Sequence, residues 1–217
     1  MDLFLTILSG VAWTIVYIWS IRVGFRDKSY AMPLVALALN ISWETIYAVH
    51  SLSSVSAQTF VNFAWALLDL VIVLTYFRFG RSELPKFVIQ PIFIVWSLVV
   101  FGSAYAIQAL FIGQFGWTDA ARYSAFLQNV LMSGLFIALL VARRSVRGQS
   151  MIIAVAKWIG TLAPTILIGV LGNLPFITGL GILCSVFDLI YIGLLWWAKR
   201  HPAEVAAPPQ VVAASAS

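Results

Sequence analysis

The sequence predicts an all-α fold: an integral membrane bundle of seven transmembrane helices, with the N-terminus outside and the C-terminus cytoplasmic. Three observations carry this expectation. The chain is 62% hydrophobic and only 10% charged, whereas charged residues alone make up about a quarter of a soluble domain. Its mean hydropathy is +0.97, and its apolar residues fall into segments near the roughly 20 residues that a helix needs to cross the hydrocarbon core. The basic residues cluster on alternate connections between those segments, as the Lys and Arg bias of cytoplasmic loops requires.

The segments run from Leu3 to Ile21, Ala31 to Val49, Thr59 to Phe77, Phe87 to Phe111, Ala120 to Ala142, Met151 to Leu171 and Phe176 to Ala198. The first follows Asp2 with no basic run before it and is longer than a typical signal-peptide core, so it is expected to stay as a helix of the mature protein. Arg22, Arg26 and Lys28 follow segment one; Arg78, Arg81 and Lys86 follow three; Arg143, Arg144 and Arg147 follow five; Lys199 and Arg200 follow seven. Those ends are therefore expected in the cytoplasm. The opposite connections, Ser51 to Gln58, Gly113 to Asp119 and Gly172 to Pro175, hold no Lys or Arg. Pro164, with Gly160 and Gly169, predicts a kink in segment six. The transmembrane domain is expected over residues 1–200, followed by a disordered tail, 201–217, in which Pro, Ala and Ser show no apolar period.

Composition also narrows the function. A single cysteine, Cys184, leaves no intramolecular disulfide and no thiolate cluster, and His50 and His201 stand near segment ends, so no metal site and no cofactor are expected. The net charge of +5 resides between apolar segments, where topology accounts for it, and nucleic-acid binding is not expected.

The informative residues are the polar ones inside the spans. Of the acidic residues, Asp2, Asp27, Glu83, Asp119 and Glu204 lie in loops or tails, which leaves Glu44, Asp69 and Asp188 at membrane depth. Lys157 is the one cation well inside a span, and its stem is expected to snorkel to the interface. At most one buried cation thus faces three buried carboxyls. Pairing cannot neutralise them all, and protonation of one or more is the simplest remedy where water is scarce. Counted from the outer ends at 1.5 Å per residue, Glu44 lies about 9 Å deep, Asp69 about 15 Å and Asp188 about 18 Å, so the three acids are expected in one chamber.

Helical spacing puts Asn40, Glu44 and Tyr47 on one face with Trp43 beside them. Trp65 precedes Asp69 by one turn, and Phe187 and Tyr191 flank Asp188. Each acid therefore sits beside π surface, which suits a site that creates and then shelters positive charge. Gln128 and Asn129, mid-span amides of segment five, are further candidate substrate contacts. Trp13, Trp19, Trp117, Trp158, Trp196 and Trp197 are read as interface or packing residues. The alternative for Glu44 is a hydrogen bond to a neighbouring helix and nothing more.

The Asn-x-x-Trp-Glu element formed by Asn40, Trp43 and Glu44, with Asp188 in the last helix, resembles the small membrane-bound terpene cyclases of fungal meroterpenoid pathways and their bacterial relatives acting on prenylated indoles. The resemblance implies that Glu44 and Asp188 are the acids that start cyclisation, with Asp69 and Trp65 at a further family-like position. It implies a lipid-soluble prenylated aromatic or indole substrate, protonated at an alkene or epoxide and cyclised as a cation, with a pathway prenyltransferase and membrane lipids as partners. The chain has neither an Asp-Asp-x-x-Asp cluster for magnesium diphosphate chemistry nor an Asp-x-Asp-Asp run. The expected location is a bacterial plasma membrane. The competing expectation is a small proton-coupled transporter, because intramembrane carboxyls also mark ion paths. A retinal protein is disfavoured, since segment seven has no lysine for a Schiff base.

Overall fold

The computed structural model describes residues 1–55 and 57–206. Every regular element among them is helical: α1 Asp2–Asp27, α2 Leu34–His50, α3 Ala57–Phe79, α4 Gln90–Arg143, α5 Met151–Pro164, α6 Pro175–Arg200 and a short α7 Pro202–Ala206. Single 3-10 turns, Ser51–Ser54 and Gly80–Glu83, close α2 and α3. Among the described residues five helices are long and apolar enough to cross a membrane: Asp2–Asp27, Thr59–Glu83, Gln90–Arg143, Met151–Leu171 and Pro175–Arg200. The protein is a multi-pass membrane protein.

Two departures from the sequence reading have local causes. Segments four and five, expected as separate helices around a loop from Gly113 to Asp119, lie in the single 54-residue element α4. That element turns at Gly116, whose φ of 70° and ψ of 169° are open only to glycine. Two arms result, 90–115 and 117–143, and they fold back on each other: Gln108 Nε2 donates to Gln128 Oε1 at 3.1 Å, and the Phe115 and Tyr123 rings meet edge to face at 5.3 Å. The second departure is in the tail, where Pro202–Ala206 forms α7; residues 207–217 lie outside the described residues.

At Pro164, where the sequence predicts a kink, the helix changes type. Proline lacks the N–H that an α-helix needs, and beyond it the chain continues as π-helical Thr165–Leu171. The last stretch packs closely on α6, because Gly181 gives room for Thr165 and Gly169 gives room for Thr178.

The charged connections form one face. Arg147 donates to the carbonyls of Asp27 and Lys28 at 2.8 and 2.6 Å, Arg143 donates to the Tyr30 carbonyl at 2.8 Å, and Arg143 pairs with Glu83 at 2.7 Å. The α1–α2, α3–α4 and α4–α5 connections are thereby tied together, as alternate loops on one side of a bundle must be. Beneath them the core holds Val16, Tyr17, Leu37, Ile72, Phe93, Met132, Phe136, Ile153 and Leu195. The outer surface is hydrocarbon as well, with Phe4, Leu67, Leu110 and Leu183 exposed, which is the arrangement a lipid solvent selects.

The turn at Gly116 gives a direct test. Gly116→Ala should lower the thermal midpoint in detergent by the equivalent of about 1–3 kcal/mol, the cost of placing a side chain at that φ and ψ. Gly113→Ala, in the helical arm with open space where its Cβ would go, should leave the midpoint unchanged or raise it.

Candidate active site

A cavity of about 240 Å³ opens among α1, α2, α3, the second arm of α4, and α5. Its walls follow helical periodicity. Ser9, Trp13 and Tyr17 come from α1 at steps of four, Asn40, Trp43 and Glu44 from α2, and Ala121, Ala125, Gln128 and Asn129 from α4. Trp65 of α3, Arg122 and Phe126 of α4, Thr161 and Pro164 of α5, and Ile168 of the π-helical stretch after it complete the lining. Gly160 lets α5 approach the Trp13 ring, since a Cβ there would meet Trp13 at 3.0 Å.

At one end lies a chain of hydrogen bonds through buried polar side chains. Asn40 Nδ2 donates to Asp69 Oδ2 and to Tyr17 Oη, each at 2.7 Å. Tyr17 Oη, already accepting from Asn40, directs its own proton to Glu44 Oε1 at 3.1 Å. Glu44 is 4% exposed and Asp69 fully buried, and neither takes part in an ion pair among the described residues. The second oxygen of each carboxyl, Glu44 Oε2 and Asp69 Oδ1, has no protein partner. Glu44 lines the cavity; Asp69 stands behind Asn40 and does not.

The tryptophans are fixed by their edges. Trp43 Nε1 donates to the Ala121 carbonyl and Trp65 Nε1 to Thr14 Oγ1, each at 3.1 Å. Tyr17 lies between Trp13 and Trp65, with centroids 6.2 and 6.1 Å away. The acid therefore sits among three indoles.

Asp188 has different surroundings. Lys157 Nζ lies 2.8 and 3.0 Å from its two carboxylate oxygens and 2.6 Å from Ser133 Oγ, to which it also donates. The Lys157 and Asp188 side chains are 1% and 2% exposed. Lys157 thus does not snorkel to the interface as expected from the sequence: a buried partner is within reach, and leaving Asp188 unpaired would cost more than burying the ammonium beside it. The single chamber expected for three acids is corrected too. α6 turns Asp188 toward α5 and the second arm of α4, outside the lining of the cavity that Glu44 faces.

Of the residues singled out in the sequence, the structure brings Asn40, Trp43, Glu44, Trp65, Gln128 and Asn129 to one cavity. Tyr47 packs on Trp43 at 4.7 Å, outside the lining. Phe187 is half-buried and also outside it. Tyr191 donates to Gln149 Oε1 at 2.7 Å and packs on Phe136, so it braces the side where the α4–α5 connection lies. The sequence reading missed Tyr17 and Thr161, and it took Trp13 for an interface or packing residue. The signal for Tyr17 was a phenol in mid-span, one turn after Trp13; Thr161 carried none.

The family model for Pyr4-like transmembrane terpene cyclases matches residues 1–201. The chain belongs to this family. Among its relatives are the Pyr4-family terpene cyclase mfmH of Annulohypoxylon moriforme, 32% identical over 160 residues, and the terpene cyclase pyr4 of Aspergillus fumigatus, 27% identical over 203 residues. The terpene cyclase macJ of Penicillium terrestre is 31% identical over 164 residues. The matches cover 73%, 88% and 73% of this chain and 66%, 84% and 62% of those relatives, respectively. No solved structure matches. These relatives are fungal, so the comparison supports a multi-pass membrane protein and gives no support to the bacterial plasma membrane expected from the sequence.

The ion pair of this family member generates a stability prediction. Lys157→Met alone should destabilise the protein by about 3–5 kcal/mol, because Asp188 loses its ion-pair partner in the interior, whereas Lys157→Met combined with Asp188→Leu should recover most of the loss. Thermal unfolding of the three proteins in detergent measures both steps.

Proposed function

We propose that the protein is a terpene cyclase in which Glu44 protonates the polyprenyl chain of a lipid-soluble prenylated aromatic or indole substrate. The observation that carries this reading is the orientation of the Glu44 carboxyl. Tyr17 occupies Oε1 as a donor, so the carboxyl proton belongs on Oε2, the oxygen left without a partner in a residue that lines the cavity. Family membership supports the same activity.

The step is balanced within the active site. The O–H bond of Glu44 breaks, the proton adds to a terminal alkene or epoxide, and a tertiary cation or opened epoxide results. Neighbouring alkenes then attack in turn, and loss of a proton from the last cation restores a neutral acid, directly or through water. The product is an isomer of the substrate. No metal or other cofactor enters this scheme. Trp13, Trp43 and Trp65 offer π surface to the travelling charge, each worth up to about 2 kcal/mol where water is excluded.

The other two acids take supporting roles in this reading. Asp69 accepts from Asn40 and so fixes the amide that makes Tyr17 a donor to Glu44. Asp188, paired with Lys157 outside the lining of the Glu44 cavity, positions α6 against α5 and α4 and does not deliver the initiating proton. The seven-span topology with the C-terminus cytoplasmic is supported by the basic face described above and by the two arms of α4. A substrate of this class is made by attaching a prenyl chain to an aromatic carbon, so a membrane-associated prenyltransferase is its proposed supplier.

Membranes or detergent-purified protein should convert a prenylated indole or phenol into a cyclised isomer of equal mass, read by chromatography with mass spectrometry. Glu44→Gln should lower turnover about 10²–10⁴-fold at an unchanged thermal midpoint, the range for a lost general acid. Tyr17→Phe should lower it less, because the acid remains. Full activity in Glu44→Gln would reject the assignment.

A further inference from the structure

An open hollow of about 520 Å³ lies on the face where the charged connections meet, between the end of α1, the α4–α5 connection and the end of α6. Its polar lining is Arg26, Asp27, Ser145, Arg147, Gln149 and Lys199. Basic residues scattered over such a face need no explanation beyond topology. Here side chains from three separate stretches of the chain converge on one concavity, and their charges do not cancel. Asp27, the one carboxylate in the lining, is already engaged: Arg26 reaches its two oxygens at 2.6 and 3.1 Å, and the Gly148 N–H donates to it at 2.9 Å. Arg147 and Lys199 form no ion pair among the described residues. The Arg147 guanidinium is nevertheless fixed, because Nε and Nη2 donate to the Asp27 and Lys28 carbonyls, and a carbonyl satisfies an N–H without neutralising the charge. Ser145 Oγ accepts from the Arg147 N–H at 3.1 Å, which leaves its own proton to donate.

We infer that this hollow binds the phosphate of an anionic phospholipid, with Arg147 and Lys199 as its charge partners and the Ser145 hydroxyl as a further donor. A phosphodiester carries one negative charge, and hydrogen bonds from cations to it are about twice as strong as neutral ones. The same donors would suit a phosphate in solution; the lipid is selected by the surroundings. Arg22 stands over the Trp19 ring at 5.2 Å near the end of α1, and Arg200 over the Trp196 ring at 3.8 Å near the end of α6. Indoles gather where hydrocarbon meets water, so both helices that flank the hollow reach the head-group layer at its level. Both also expose hydrocarbon near these ends, Ile18 and Phe25 on α1 and Leu194 on α6, which gives acyl chains a surface to lie on. The hollow shares no residue with the cavity of Glu44, and the inference is independent of the cyclase reading.

The test is thermal unfolding of the full chain in a neutral detergent, titrated with dioleoyl phosphatidylglycerol or dioleoyl phosphatidylcholine, because a ligand of the folded state raises the midpoint. Salt is held at about 0.15 M, where attraction between exposed charges more than roughly 8 Å apart is largely screened. Phosphatidylglycerol should raise the midpoint saturably, and phosphatidylcholine, whose choline cancels the phosphate charge, should not. Lys199 is exposed and bonds to nothing among the described residues, so Lys199→Gln should keep the midpoint of the unaltered protein when no lipid is added. It should raise the phosphatidylglycerol concentration needed for half the shift about tenfold, the worth of one hydrogen bond to a charged group. Lys86→Gln removes the same charge from an exposed position on the same face outside the hollow, and should raise that concentration much less. An equal response to the two lipids, an undiminished response in Lys199→Gln, or equal losses in Lys199→Gln and Lys86→Gln would each overturn the inference. So would the same midpoint shift from inorganic phosphate alone, since the occupant would then be a soluble anion.

Discussion

The bridge that Asn40 makes between Asp69 and Tyr17 is the constraint on which the site depends. A carboxyl removed from water must meet a cation, a set of donors, or its own proton. Neither Glu44 nor Asp69 has a cation in ion-pair contact. The amide of Asn40 answers both at once, because its two N–H bonds reach Asp69 Oδ2 and Tyr17 Oη at 2.7 Å each. Once those are made, the phenol has one direction left for its proton. The geometry of α1, α2 and α3 around this end of the cavity follows from that requirement, since each helix supplies a member of the chain.

The same accounting separates the acids by their partners. Among the described residues Lys157 is the one cation buried in the core of the bundle, and it is taken by Asp188 and Ser133. An ion pair this well buried contributes little net stability against an apolar replacement, but removing one partner is expensive, so it fixes which helices lie together. Two kinds of carboxyl in one bundle thus arise from the placement of a single lysine.

Much of this was legible in the chain, and the boundary is physical. Hydrophobic segments and alternate basic connections are local properties, so the helical bundle could be read directly. Asn40, Trp43 and Glu44 share one helix face, so a period of 3.6 was enough to group them. The partners of those residues lie on other helices: Tyr17 is 23 positions from Asn40, and Lys157 is 31 from Asp188. No periodicity reports such pairs. The chamber expected for three acids failed for that reason, as equal depth in the bilayer does not fix rotation about the helix axis. Gly116 was a different case, because the turn it makes leaves the chain helical on both sides, and a loop was the natural expectation.

The tryptophans show how a membrane protein can present π surface without presenting donors. The Trp43 and Trp65 N–H groups are held by the Ala121 carbonyl and the Thr14 hydroxyl on neighbouring helices. What those indoles offer to the cavity is therefore carbon and π density, which lowers the energy of a passing cation without supplying an atom able to bond to it. A free hydroxyl or amide at the same place would trap the charge early. Among the described residues that line the cavity, the buried polar atoms without a partner are Glu44 Oε2 and, from α4 and α5, Asn129 Oδ1 and Thr161 Oγ1. In the proposed reaction, charge that begins at Glu44 thus has indole from three helices lining the same cavity.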